Sequence, residues 1–382
     1  MNFSLSEEQE AIRELARQIF GDSCKHATLA GLERDESGDG IHHALWGALA
    51  EANLLGVAIG EADGGSGFGF SALCVLLEEA GRAVAPIPLV PTLAVAAAAI
   101  GRFGSAAQRK RWLPGVVAGK IILSAALQET GPFEPSHPQT RARARGKGWV
   151  LEGEKVCVPC APQAARILVP AATDEGRVGV FLVDPEAPGV GLEAGIANNH
   201  ERQFQLTLSG AEISPEDCLG DPNSDEEIIP WVVDRAQTAL AALQLGVCQA
   251  ALAQTAEYTT DRKQFGRPIG TFQAVTMRIA DAFIDLECMK STLWQAAWRL
   301  EEGLPAAADS ATAKWWACRG GSRVAHTAMH LHGGIGADID YPIHRYLLWA
   351  QQIGLTLGGA GEQLARIGGA YADDGARPQA SA

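Results

Sequence analysis

The feature that most constrains this chain is a double change in the spacing of its apolar residues. Up to about residue 120 they recur at helical spacing. From Ile121 to about Gly220 they fall in short β-branched runs bounded by Gly and Pro, and from Ile228 helical spacing returns in long segments. A helix collects every third or fourth residue on one face and a strand every second, so one uniform architecture cannot hold both patterns. At 382 residues the chain also exceeds one ordinary domain. The expected organisation is a helical domain over 1–120, a β domain over 121–225 and a helical bundle over 226–382. This is an α+β chain, mostly α.

Local signals sharpen the blocks. Ser6-Glu-Glu-Gln9 reads as a capping box, followed by Ile12, Leu15, Ala16 and Ile19 as one apolar stripe. Glu61 to Gly69 is a glycine-rich turn before a helix from Ser71 to Gly81. Without a preceding strand it reads as a helix connector, although such loops can also cradle phosphate. Strand signals lie at Trp149–Leu151, Val156–Val158, Ile167–Val169, Val178–Val183 and Phe204–Leu208. Asp221 to Glu227 is a polar link back to helix. The tail from Asp373 to Ala382 is rich in Pro, Gly, Ser and Ala and is expected to fray.

Composition narrows the function classes. A net charge of −14 disfavours nucleic acid, which needs a clustered basic surface, but leaves room for an anionic small ligand held by a few local cations. The opening MNFSLSEEQE has no basic and apolar leader pattern, so a secretory signal is not expected. The most apolar stretch, Leu89 to Ile100, is interrupted by Pro91 and is short of the roughly 20 residues of a membrane span. The eight cysteines are scattered and read as reduced thiols of a cytoplasmic protein. Cys157 and Cys160 form a lone C-x-x-C with neither a second pair nor a βαβ setting, so no metal is expected there.

Two motifs carry candidate chemistry. The first runs from Asp261 through Arg262, Phe265, Gly266, Pro268 and Thr271 to Gln273. A helix is expected to end at Gly266, and Thr271 to cap the next one. Arg262 offers a planar fork for phosphate, Phe265 a flat apolar surface and Gln273 a group that can read a purine edge. The same residues also read as a helix hairpin with a surface arginine. The second motif is His330-Leu-His-Gly333-Gly334-Ile-Gly336. Adjacent glycines let a ligand approach the backbone closely, and they serve equally as a helix C-cap followed by a loop.

Taken together and in this order, these segments resemble the acyl-CoA dehydrogenase family. The resemblance spans nearly the whole chain and includes Ser6–Gln9, Gly64-Gly-Ser-Gly67, Gly153-Glu-Lys155, Arg262-Lys-Gln-Phe-Gly266, Phe272-Gln273 and His332-Gly-Gly-Ile-Gly336. It implies a helical N-terminal domain, a β-barrel-like middle and a C-terminal four-helix bundle. It also implies FAD as cofactor and dimers paired into tetramers. By the same resemblance, Arg262, Phe265, Gln273, Gly333 and Gly334 would contact the pyrophosphate and adenosine of a neighbouring subunit's FAD. His330 stands where the family most often has Gln.

The chain departs from the family in two places. The usual flavin-ring elements resemble Thr-Glu-Pro with Gly-Ser-Asp, and Gly-x-Lys-x-Trp-Ile-Thr/Ser. Here only Glu129 of the first is clear, and Cys157 and Pro159 replace the tryptophan and the hydroxyl residue of the second. Pro159 also has no N–H to donate. The two family positions for the catalytic carboxylate fall on Gly359 and Ala236, with Gln237 in place of the usual following Arg. Glu362 and Asp234 lie three and two residues off register, which on a helix turns the side chain well over 90°.

The resemblance therefore implies a division of labour, as in α2β2 acyl-CoA dehydrogenases of bacterial steroid and bile-acid breakdown. One subunit carries the base and ring pocket, and the other lends FAD contacts. The expected partners are an acyl-CoA substrate, bulky and polycyclic by that resemblance, a related acyl-CoA dehydrogenase subunit, and an electron-transferring flavoprotein as acceptor. A homotetrameric dehydrogenase with Glu362 as relocated base, and a scaffold that binds no FAD, are the alternatives.

Overall fold

A computed structural model describes residues 4–224 and 227–376. The chain divides into two compact units. One comprises Ser6–Leu73 and Pro86–Ala236; the other takes in Cys74–Ala85 and the chain from Gln237 onward.

The first unit opens with α1 (Glu7–Ser23), α2 (His26–Arg34) and α3 (His43–Glu51) and includes the start of α4 (Gly69–Arg82). The capping box at the start of α1 is formed, with Gln9 N–H donating to Ser6 Oγ at 3.2 Å and Ser6 N–H donating to Gln9 Oε1 at 3.1 Å. The buried stripe of α1 is Ile12, Ala16 and Phe20, while Leu15 is exposed. The periodicity is right, but the face is rotated toward Phe20. The glycine-rich turn is a tight connector: a β-carbon on Gly65 would collide with the carbonyls of Gly56 and Ile59. A π-helical stretch, Val90–Ala97, then runs into α5 (Ala98–Phe103), and α6 (Ala106–Val117) follows behind a second capping box at Ser105.

The β region contains β1 (Ile122–Ala125), β2 (Arg141–Arg145), β3 (Gly148–Pro159), β4 (Ala164–Thr173), β5 (Val178–Val183), β6 (Val190–Ile196), β7 (Arg202–Ile213) and β8 (Cys218–Leu219). They form one mixed sheet in the order β6-β7-β3-β2-β4-β5-β8, with β1 beside β4. Pairing is antiparallel except for β1 and β2 along β4. The inner face packs Leu151, Val158, Ile167, Val169, Phe181, Val183, Leu206 and Leu208. Strands β2 and β6 were not among the sequence signals, because they lie largely exposed and carry Arg, Glu and Gly rather than apolar alternation.

The second unit is built on the latter part of α7 (Ile228–Asp261), the hairpin β9 (Lys263–Gln264) and β10 (Arg267–Pro268), and the helices α8 (Gln273–Glu301), α9 (Ala307–His332), α10 (Ile343–Leu355) and α11 (Ala360–Ala376). Helix α9 packs against α8, α10 and α11. The end of α4 meets α7 backbone to backbone, because a β-carbon on Gly246 would strike the Glu78 carbonyl and one on Gly81 the Leu243 carbonyl. Helix α7 is long and apolar enough to cross a membrane, but 78% of its most apolar window is buried inside the protein, as in a core helix. Helix α11 continues to Ala376, so the fraying expected from Asp373 concerns residues 377–382, which lie outside the described residues.

Candidate functional site

Helix α7 ends at Asp261 rather than Gly266, with Arg262 N–H still bonded to the Tyr258 carbonyl at 2.8 Å. The next residues close a two-residue hairpin in which Arg267 pairs Gln264 and Pro268 pairs Lys263. Its two turn residues, Phe265 and Gly266, have φ of 53° and 79°. Positive φ at both central positions gives the turn whose twist matches a hairpin, and this is why the helix stops before the glycine. Phe265 adopts a conformation unfavourable for a side chain with a β-carbon and is 93% exposed. Backbone strain spent on presenting an aromatic ring to solvent is a mark of a functional turn. Arg262 and Gln273 are exposed too. Thr271 does not cap α8: its hydroxyl donates to the Pro268 carbonyl, and Phe272 is the N-cap residue.

The second motif forms as a helix C-cap and loop. Helix α9 ends at His332, and Gly333, with φ 63°, donates its N–H to the carbonyls of His330 and Met329. A β-carbon at Gly333 or Gly334 would meet no atom within 4 Å, so the backbone there faces open space. His330 is exposed at the rim of a groove of about 1080 Å³ lined also by Arg278, Asp281, Arg323, His326 and Gly333. Arg323 spans the groove wall to Asp285 with a two-pronged ion pair. Exposed apolar residues surround this region: Met277, Phe283 and Ile284 on α8, and Ile335 and Ile339 beyond the glycines.

A ring stack joins the two motifs. Tyr258, one turn before Arg262, lies on His332, directly before Gly333, with ring centroids 4.4 Å apart and an interplanar angle of 21°. Sequence reasoning missed this contact. Its signal was an aromatic one turn upstream of Arg262 and another directly before Gly333.

The β segment expected to hold a flavin ring is closed on itself. Glu129 Oε1 accepts from Lys155 Nζ at 2.7 Å, Thr140 N–H at 3.0 Å and Thr140 Oγ1 at 2.6 Å, and Oε2 accepts from Gln139 N–H at 2.6 Å. Burial alone would raise the Glu129 carboxyl, but Lys155 and Thr140 outweigh it and hold it at about 2. Burial pushes Lys155 down to about 8, against the pull of Glu129. Cys157 sits in a bulge of β3 with φ 54° and is exposed. Pro159 presents only its carbonyl, already bonded to Ser124 Oγ at 2.5 Å. Cys157 brings no flat ring and Pro159 no N–H, so these two positions do not fit an isoalloxazine ring, whereas the exposed fork, ring and open glycines of the second unit fit a pyrophosphate and adenosine.

At the positions expected for a base, Ala236 is fully buried within α7. Gly359 precedes α11, and its N–H donates to Glu362 Oε2 at 2.5 Å. Glu362 thus acts as the returning half of a helix cap. The end of α10 and the turn after it are gripped by side chains that sequence reasoning did not single out. Lys314, fully buried, donates to the Ile353 carbonyl at 2.6 Å, and Gln363 donates to the carbonyls of Leu357 and Gly358 at 3.3 and 3.2 Å. Burial lowers the Lys314 ammonium below its ordinary range.

Comparison with known proteins places the chain in a family. The pattern of the acyl-CoA dehydrogenase N-terminal domain matches residues 6–120, and that of the C-terminal domain matches residues 228–370. Acyl-CoA dehydrogenase FadE27 of Mycobacterium tuberculosis is 37% identical over 96% of this chain and 98% of its own. Among solved structures, a chain of the Tcur3481–Tcur3483 steroid ACAD is 47% identical with a TM-score of 0.92, covering 98% of this chain and 100% of that one. A chain of the ChsE4–ChsE5 complex from Mycobacterium tuberculosis is 38% identical with a TM-score of 0.91, covering 99% and 100%. Acyl-CoA dehydrogenases and their structural relatives are FAD-binding flavoproteins. The chain belongs to the acyl-CoA dehydrogenase family.

Proposed function

We propose that this chain is the subunit of a heteromeric, FAD-dependent acyl-CoA dehydrogenase that lends cofactor contacts and carries no base of its own. The single observation behind this reading is that Gly359 and Ala236 occupy the two family base positions while Glu362, the nearest acid at the first, is spent on capping α11. α,β-Dehydrogenation needs a carboxylate within reach of the proton next to the thioester carbonyl. In this reading a related partner subunit supplies it, in an α2β2 tetramer. When bound, FAD supplies the ring that accepts hydride from the β carbon. Arg262 would hold its pyrophosphate with charge-assisted bonds, Phe265, Gln273 and His330 would border the adenosine, and Gly333 and Gly334 would let the dinucleotide lie close to the backbone. The exposed apolar side chains on α8 and beyond Gly334 supply a surface for subunit association.

Two solved relatives, the Tcur3481–Tcur3483 steroid ACAD and the ChsE4–ChsE5 complex, support a heteromeric assembly, and the first supports a bulky polycyclic acyl-CoA substrate. A cytoplasmic location, an electron-transferring flavoprotein as acceptor and the division at 1–120, 121–225 and 226–382 complete the reading. The test is copurification with the product of the neighbouring gene, followed by flavin counting. One flavin for every two chains is expected. One per chain, with a ring packed on Cys157 and Pro159, overturns the reading in favour of a self-sufficient enzyme, and no flavin in any assembly makes the chain a scaffold.

A further inference from the structure

The two cofactor-facing motifs are more than 60 residues apart in sequence, and neither is anchored by apolar burial of its own, since Arg262 to Arg267 and Gly333 to Gly334 are all exposed. Something must hold them in mutual register. Among the described residues, the aromatic contact joining the helix ends behind them is Tyr258 on His332, with Tyr341 tilted against the same imidazole at 5.4 Å. Tyr258 also donates its hydroxyl to the His332 carbonyl at 3.4 Å, and its own carbonyl takes the Arg262 N–H at 2.8 Å. The imidazole is 3% exposed. Its Nδ1 lies 2.8 Å from the Ala328 carbonyl, which fixes Nδ1 as the protonated nitrogen. Nε2 is buried with no partner among the described residues.

We propose that His332 is a positioning residue whose neutral ring, stacked on Tyr258, locks the Arg262–Arg267 hairpin and the Gly333–Gly334 turn into one preformed cradle for the FAD diphosphate. This rests on the reading that those motifs hold FAD. The ring does two things that an aliphatic residue would not. It presents a flat face to Tyr258, and it tethers itself to its own helix through Nδ1. A proton added at Nε2 would be a buried donor with no acceptor, so the lock holds only in the neutral state.

The groups around the ring agree. Tyr258 faces it from α7 and Tyr341 from the loop after Ala337, and the charge of Glu257 reaches Tyr341. Among the described residues, no carboxylate acts on His332. Burial pushes its pKa below the ordinary 6.5, opposed only by the Ala328 carbonyl. A group with a depressed folded pKa contributes its stability above the unfolded value and loses it as pH falls through 6.5 toward the folded value. The cradle should therefore open on mild acidification.

The experiment uses the flavin-loaded assembly, in wild type and in His332→Phe, His332→Ala and Arg262→Ala variants, with FAD release followed by fluorescence at about pH 7.5 and about pH 5.5. Trypsin cleavage after Arg262 and Lys263 is followed in parallel on flavin-stripped protein. Wild type is expected to release FAD faster at the lower pH. His332→Phe keeps the stack and loses the pH response, and His332→Ala binds FAD roughly tenfold more weakly at both pH values. Trypsin should cut the hairpin faster in His332→Ala than in His332→Phe. If His332→Ala does not fold, the pH response of wild type against His332→Phe decides. Equal release and equal cleavage in all His332 forms, with Arg262→Ala still weakening FAD, overturns the positioning role alone. An Arg262→Ala variant that retains FAD overturns the cradle reading itself, while the trypsin arm still reports on the joint.

Discussion

The hairpin and glycine turn of the second unit and the Gln128–Pro159 segment of the first are opposite solutions to the placement of polar groups. In the hairpin and turn, Arg262, Gln273 and the Gly333–Gly334 backbone point outward, and an aromatic ring is held exposed in a strained turn. In the β segment, Glu129 takes four hydrogen bonds from within the chain and the Pro159 carbonyl is used by Ser124. A site that awaits a ligand leaves donors unpaired at the surface, while one that has given up a ligand must satisfy them internally or lose stability. Under the proposed division of labour, the hairpin and glycine turn are the waiting region and the β segment the closed one.

The strongest way to break this contrast is turnover. Alone, the chain is expected to dehydrogenate acyl-CoA at background level, at least ~10²-fold below the mixed assembly, because proton transfer lacks its carboxylate. Activity of the single chain that Glu362→Gln removes would show that the capping carboxylate is a working base and that the closed region is open enough for chemistry.

The next effect tests how closed the β segment is. Lys155→Ala leaves the Glu129 carboxylate without its buried partner and should destabilise the first unit by about 3 kcal/mol, read as a denaturation midpoint shift. The acid limb should change with it. Glu129 is held at about 2 against an ordinary 4.5, so its contribution is complete above pH 4.5 and is lost as pH falls toward 2. An unchanged midpoint and acid limb in Lys155→Ala would mean the pair is not what closes the segment.

For the waiting region, Arg262→Ala should weaken FAD retention in the mixed assembly by about 2 kcal/mol, the order of a lost charge-assisted contact. The smallest effect separates strain from function. Phe265→Gly relieves a positive φ and should raise stability by up to ~1 kcal/mol while loosening FAD. If it lowers stability and leaves FAD untouched, Phe265 is a packing residue and the exposed turn has no waiting role.

Much of this was legible in the sequence because it depended on local rules. Ser6 and Gln9 announce their helix start through side-chain chemistry alone, and the apolar strands β4, β5 and β7 through β-branched runs. Strands β2 and β6 were silent because paired strands need not bury a face. The end of α7 was misplaced by five residues because glycine serves both helix caps and hairpin turns, and only the pairing of Gln264 with Arg267 decides between them. The Tyr258–His332 stack and the burial of Lys314 depend on contacts distant in sequence, which local spacing does not encode.

The turn at Gly359 has a further consequence. Its neighbouring carbonyls, of Leu357 and Gly358, are clasped by Gln363, and the space beyond its α-carbon is empty to the Glu362 carboxylate, 3.8 Å from where a β-carbon would sit. The loop keeps its shape without help from any side chain at 359, so it would receive one, as in Gly359→Glu, with no refolding. A carboxylate at 359 would thus need one substitution on an unchanged frame, whereas a flavin ring beside Cys157 and Pro159 would need the β segment itself rebuilt.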